Sequence, residues 1–183
     1  MKIGPATTLP TVAIAVGDAL RRAGIRAVLT GGACASIHTG GRYSSVDADF
    51  ILQGDIERER LDEALGSLGF RRSGDRYVHS DSEFYVEFPR GPLAIGADDQ
   101  VRPVEHVSGG RRCLVLSPTD SCRDRLAAFY HWGDRQSLDV AVRIALCNRL
   151  NWKRIRSWSG SEGHLERYEE FRTAIRKARG RAL

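Results

Sequence analysis

Apolar positions change rhythm several times along this chain. Val12, Ile14, Ala15, Val16, Ala19 and Leu20 form a broad stripe at helical spacing, which predicts an amphipathic helix over residues 10–23, stopped by Gly24. Thr7, Thr8, Pro10 and Thr11 precede it, and Asp18 and Arg21–Arg22 follow its apolar part. That is the pattern of a capped helix and not of a cleaved signal. Arg26–Thr30 predicts a short strand, broken by Gly31–Gly32. Ala33–His38 predicts a short helix, ended by Gly40–Gly41, and Val46–Gln53 the next strand. Asp55 is placed to cap a helix over Ile56–Leu68, closed by Gly69.

The middle of the chain alternates with period two. Arg76–His79 and Glu83–Phe88 predict a hairpin in which Phe84, Val86 and Phe88 alternate with Tyr85 and Glu87. Leu93–Gly96 and Arg112–Leu116 predict two shorter strands separated by a polar loop. From Ser117 the rhythm is helical again, with Ser117 as cap, Pro118 at the first helical position and Asp120 in the first turn. Gly133–Asp134 breaks this helix. Helices follow over 136–149, 151–158 and 164–179. The fold class expected is α/β (α+β), with a mixed sheet over residues 1–116 and a helical region over 117–183.

Composition narrows the setting. A length of 183 residues suits one core with a helical appendage. No run of about 18 apolar residues is present, which argues against a membrane span. Cys34, Cys113, Cys122 and Cys147 lack C-x-x-C or zinc-like spacing, which fits small residues in a reduced cytoplasm. Residues 1–150 hold 19 basic and 19 acidic side chains, and residues 151–183 hold nine basic and four acidic. The whole net charge of +5 therefore lies in the tail, which excludes a uniformly basic coat for nucleic acid.

Candidate chemistry concentrates in Leu29–Leu52. Gly31 and Gly32 lie where a strand runs into a helix, a place where backbone N–H groups can approach an anion. Asp47 and Asp49 are two apart on a strand, so both carboxylates share one face. Arg42, Ser44 and Ser45 lie just upstream, with donors suited to phosphate oxygens. Two carboxylates on one face call for a cation between them, and hard oxygen donors suit Mg²⁺ or Mn²⁺. Glu87, mid-strand in FYVEF, is the candidate third carboxylate of a two-metal site.

Leu-Thr-Gly-Gly followed by Asp-x-Asp on the next strand resembles the signature of the DNA polymerase beta-type nucleotidyltransferase superfamily. The Arg- and Ser-rich approach to Asp47 looks closest to abortive-infection-type nucleotidyltransferase toxins and related small bacterial proteins. Residues 117–144 are similar to those proteins' helix bearing a basic residue, charged turn and Asp-bearing helix. The resemblance implies transfer of a nucleoside monophosphate from an NTP, ATP included, to an acceptor hydroxyl on an RNA end, a protein side chain or a small molecule. It implies a toxin–antitoxin or phage-defence setting with an antitoxin partner, and no membrane. It assigns metal to Asp47, Asp49 and Glu87, and nucleotide contacts to Gly31, Gly32, Arg42, Ser45, Arg123 or Arg125, and Asp139. Ala33 stands where many members have Ser. That departure keeps open an alternative, a catalytically weakened module that binds nucleotide, nucleic acid or a protein partner.

Two aromatic segments carry a second question. His131 and Trp132 in FYHWGDRQ could serve base stacking or proton transfer, but the reading preferred is that Phe129, Tyr130 and Trp132 pack the helical half onto the body. Trp152 and Trp158 interleave with Lys153, Arg154 and Arg156, either as a nucleic-acid surface or as an amphipathic helix docked by its rings.

Overall fold

The computed structural model describes residues 2–43 and 45–180. Helix α1 (Leu9–Arg22) leads into β1 (Ala27–Leu29), α2 (Gly31–His38), β2 (Asp47–Leu52) and α3 (Arg58–Gly66). Strands β3 (Arg71–Ser73), β4 (Arg76–His79), β5 (Ser82–Glu87), β6 (Val104–Ser108) and β7 (Arg111–Val115) follow. Helices α4 (Pro118–Trp132), α5 (Arg135–Cys147), α6 (Trp152–Ser161) and α7 (Leu165–Gly180) complete the chain. The strands form one mixed sheet in the order β3-β4-β5-β2-β1-β7-β6. Its central strand β2 runs antiparallel to β1 and parallel to β5.

Helix α1 packs on β7 at close range because Gly17 has no side chain; a Cβ there would collide with the thiol of Cys113. Burial pushes the thiols of Cys34 and Cys113 up to about 12, so both stay protonated and act as small core residues. Ser117 caps α4 as expected, its Oγ accepting from the Asp120 N–H at 3.1 Å. Asp134 caps α5, accepting from Gln136 and Ser137 N–H at 2.9 and 3.2 Å. A single apolar cluster runs from α1 and the sheet into α4–α7, so the helices complete the core of the sheet.

Several expectations need correction. Helix α3 starts at Arg58, with Glu57 and not Asp55 at the cap position. Leu93–Gly96 is not a strand; only Ile95 forms an isolated bridge, to Asp98. Strand β6 lies within the stretch expected to be a polar loop, and β3 lies just before the expected hairpin, where no strand was expected. Both are sheet edges with mostly exposed side chains, which leave little alternation to read.

The tail's rings dock. Trp158 is buried, stacks on Tyr130 with centroids 5.4 Å apart, and donates from Nε1 to the Ile95 carbonyl at 3.1 Å. Trp152 packs against Phe171 with Arg172 over its face. Of the two readings of NWKRIRSW, the amphipathic helix is the one observed. In α4, Phe129 and Tyr130 are buried as expected, but Trp132 is 81% exposed.

Candidate active site on strands β2 and β5

Parallel pairing of β2 with β5 sets the site. The register places Asp47 opposite Tyr85, Ala48 opposite Val86 and Asp49 opposite Glu87. Ala48, Phe50 and Val86 point into the core, so strand alternation turns Asp47, Asp49 and Glu87 to the other face. One oxygen from each carboxylate lies within 4.8 Å of the others. The acidic trio expected from sequence therefore converges, on half-buried side chains.

The glycine pair makes room for it. Gly31 opens α2 with φ +62°, and a Cβ there would collide with Asp49 Oδ2. A Cβ on Gly32 would lie 2.6 Å from Ser45 Oγ. Both glycines are buried against these side chains. Their role in this arrangement is to let β2 carry its carboxylates up to the first turn of α2. We expect Gly31→Ala to lower stability by about 2 kcal/mol, from left-handed strain plus the clash. Gly40 has the same strain, φ +63°, with open space around it. In thermal melts Gly31→Ala should therefore cost clearly more than Gly40→Ala, and equal costs would remove the steric argument.

Ser45 Oγ donates to Asp47 Oδ1 at 2.6 Å, which orients that carboxylate. Asp49 is anchored through its backbone, its carbonyl accepting from Thr30 N–H at 2.9 Å. Burial, then the charges of Asp47 and Glu87, push the Asp49 pKa up to about 6, against the pull of Arg125. The metal-free fold thus holds a proton on Asp49 that an unfolded chain releases near 3.8. Stability from this group falls as pH rises between about 4 and 6, and the full cost, roughly 1–3 kcal/mol, is present above that range. Asp49→Asn removes it. The melting temperature of the variant minus that of the parent should grow from pH 4 to pH 7; a flat difference would show that Asp49 is not the strained carboxylate.

The two arginines of α4 part company. Arg125 donates from Nε and Nη2 to Asp124 Oδ2 at 3.0 and 2.7 Å. Its charge is felt by Asp49, and it lies near Tyr43. Arg123 is fully buried elsewhere, ion-paired with Asp98 and Asp120 and stacked on Trp158. It is a core residue, and the assignment of nucleotide contact to Arg123 is corrected on that ground. Arg42 is exposed in the loop before β2, and its carbonyl accepts from Arg143 Nη1 at 2.8 Å. Asp139 is exposed on α5, one turn before Arg143 on the same helix face. Ser44 lies outside the described residues. Sequence reasoning missed Asp124 and Tyr43, whose placement is tertiary and carries no local motif, and gave Thr30 of Leu-Thr-Gly-Gly no role of its own.

The chain matches no known protein family by sequence, and no curated protein is similar to it. Its fold, however, has solved counterparts. An antigenic nucleotidyltransferase-like protein from Paracoccidioides brasiliensis superposes with a TM-score of 0.65 at 14% identity, over 94% of each chain. The fold is a nucleotidyltransferase fold. ANT(2'')-Ia, solved in complex with adenylyl-2''-tobramycin, superposes with a TM-score of 0.51 at 16% identity, over 94% of this chain and 99% of that one. The mixed sheet followed by C-terminal helices is thus shared at identities that speak for architecture alone.

Proposed function

We propose that the protein is a metal-dependent nucleotidyltransferase that moves a nucleoside monophosphate from an NTP to an acceptor hydroxyl. The observation that carries this reading is the convergence of Asp47, Asp49 and Glu87 within 4.8 Å. The donor set fits a hard divalent cation: three carboxylates with oxygen donors, one of them made reluctant to ionise by burial and by the other two. Asp47, Asp49 and Glu87 would hold Mg²⁺ or Mn²⁺. Such ions neutralise charge on phosphate oxygens and make a bound hydroxyl more acidic.

The chain's own residues do the positioning. Ser45 fixes the Asp47 carboxylate, and Gly31 leaves Asp49 its space. Arg125 offers a guanidinium beside the trio for phosphate oxygens. The acceptor oxygen attacks the α-phosphorus in line, Glu87 takes its proton, the bond to the β-phosphate oxygen breaks, and pyrophosphate leaves. ANT(2'')-Ia, which shares the fold, is seen with an adenylylated small molecule, the kind of product such a reaction gives.

The acceptor is an RNA end, a protein side chain or a small molecule. Arg42 and Ser45 on the approach to Asp47 support a toxin–antitoxin or phage-defence setting, with an antitoxin as partner. No helix among the described residues is long and apolar enough to cross a membrane. The test is direct. Purified protein is incubated with each labelled NTP, Mg²⁺ or Mn²⁺ and cell extract, and the label is followed by mass onto the acceptor. Transfer names nucleotide and acceptor together. Tight Mg-NTP binding with no transfer to anything would leave a binding module, and no binding would end the nucleotide reading.

A further inference from the structure

Trp132 is the one large aromatic side chain of α4 left in water, 81% exposed, while Phe129 and Tyr130 beside it are buried. An exposed indole presents a large flat apolar face with one N–H donor, a surface suited to stacking on a ligand. Its place on the helix says which. Trp132 stands seven residues after Arg125, two full turns on, so both lie on the same face of α4 about 10 Å apart along the axis. Ala128 lies between them on that face and leaves only a methyl group in the gap. Long side chains on a helix lean toward its N-terminus, here toward Arg125.

The direction from the acidic trio agrees. The charge of Arg125 acts on Asp49 and also on Asp134, at the turn between α4 and α5. Arg125 is thus within reach of the acidic trio, and Trp132 lies two turns along the same face of α4, next to that turn. A nucleotide whose phosphates lie at the trio and Arg125 carries its ring further along this line.

We propose that Trp132 is the platform on which the base of the NTP stacks. This rests on the nucleotidyltransferase reading above and adds how the nucleotide is gripped. Stacking holds a base by its face and not by its edges. The site therefore accepts more than one NTP, with purines favoured by their larger rings.

Titrations with Mg-ATP, Mg-GTP, Mg-CTP, Mg-UTP and Mg-tripolyphosphate test this, followed by calorimetry and tryptophan emission. Trp158 is buried and Trp152 half-buried, so solvent-exposed emission reports chiefly on Trp132. Mg-ATP should quench it and Mg-tripolyphosphate should not. Trp132→Ala should weaken Mg-ATP about ten-fold and leave Mg-tripolyphosphate unchanged, and Trp132→Phe should restore most of the loss. Equal Mg-ATP affinity for parent and Trp132→Ala would overturn the platform while leaving the nucleotide site standing. Unchanged NTP affinity with impaired transfer would overturn it too, placing an acceptor on the indole. If the parent binds no Mg-NTP at all, the function and the platform fall together.

Discussion

Asp47→Ala and Asp49→Ala should each lower nucleotidyl transfer by about 10³-fold, read as label transferred to the acceptor or as pyrophosphate released. Each removes a carboxylate that would hold metal against the reacting phosphate, and losses of charge stabilisation at that point are of this order or larger. The stability of the variants separates chemistry from misfolding. Asp49 is held in a repulsive cluster, where burial and then the charges of Asp47 and Glu87 push its pKa up to about 6. Its removal should therefore leave the melting temperature at pH 8 unchanged or raised while activity collapses. Ser45→Ala makes a graded partner to this result. Ser45 acts through Asp47, to which it donates at 2.6 Å, and losses from residues that orient a metal ligand are about 10- to 100-fold. Asp49→Ala retaining activity within ten-fold of the parent would dismiss the trio as the reactive centre.

Much of this centre was legible because strand geometry is local. The period of two puts Asp47 and Asp49 on one face, and puts Glu87 with Tyr85 on one face of the later strand. What no local pattern states is the pairing of Asp49 with Glu87, 38 residues on, which is a matter of sheet order. The glycine pair was readable as a break before a helix, with an anion-binding use expected. Its packing shows a different need, space for Asp49 and Ser45, which depends on strand β2 lying beside α2. Trp132 was misread for a related reason. Apolar type predicts burial, but Trp132 is the last residue of α4, on the side of Arg125, and its indole stays in water while Phe129 and Tyr130 are buried. The edge strands β3 and β6 were invisible because exposed edges carry no apolar face.

Arg123 and Arg125 are two residues apart, so the helix turns them about 200° from each other, and replacing each should fail differently. Arg123→Ala should cost about 3–5 kcal/mol in denaturant unfolding, as removal of one partner from a buried ion pair does. It leaves Asp120, 1% exposed at its side chain, without its 2.8 Å partner, and strips the guanidinium from the face of Trp158 and from Asp98. Arg154, 3.2 Å from Asp120, and the Ser117 hydroxyl at 2.8 Å keep part of that charge satisfied, which argues for the lower end of the range. Neutralising the orphan should recover some of the loss: Arg123→Met with Asp120→Asn should unfold at higher denaturant than Arg123→Met alone. Arg125→Ala, by contrast, takes a cation from beside Asp49 and should weaken Mg-NTP binding, with a smaller fall in the unfolding midpoint than Arg123→Ala because its partner Asp124 is 23% exposed at its side chain and can be solvated. Were the two variants to exchange these signatures, the assignment of one arginine to the core and the other to the phosphates would be reversed, because a residue that only braces the helix lowers the midpoint before it touches affinity.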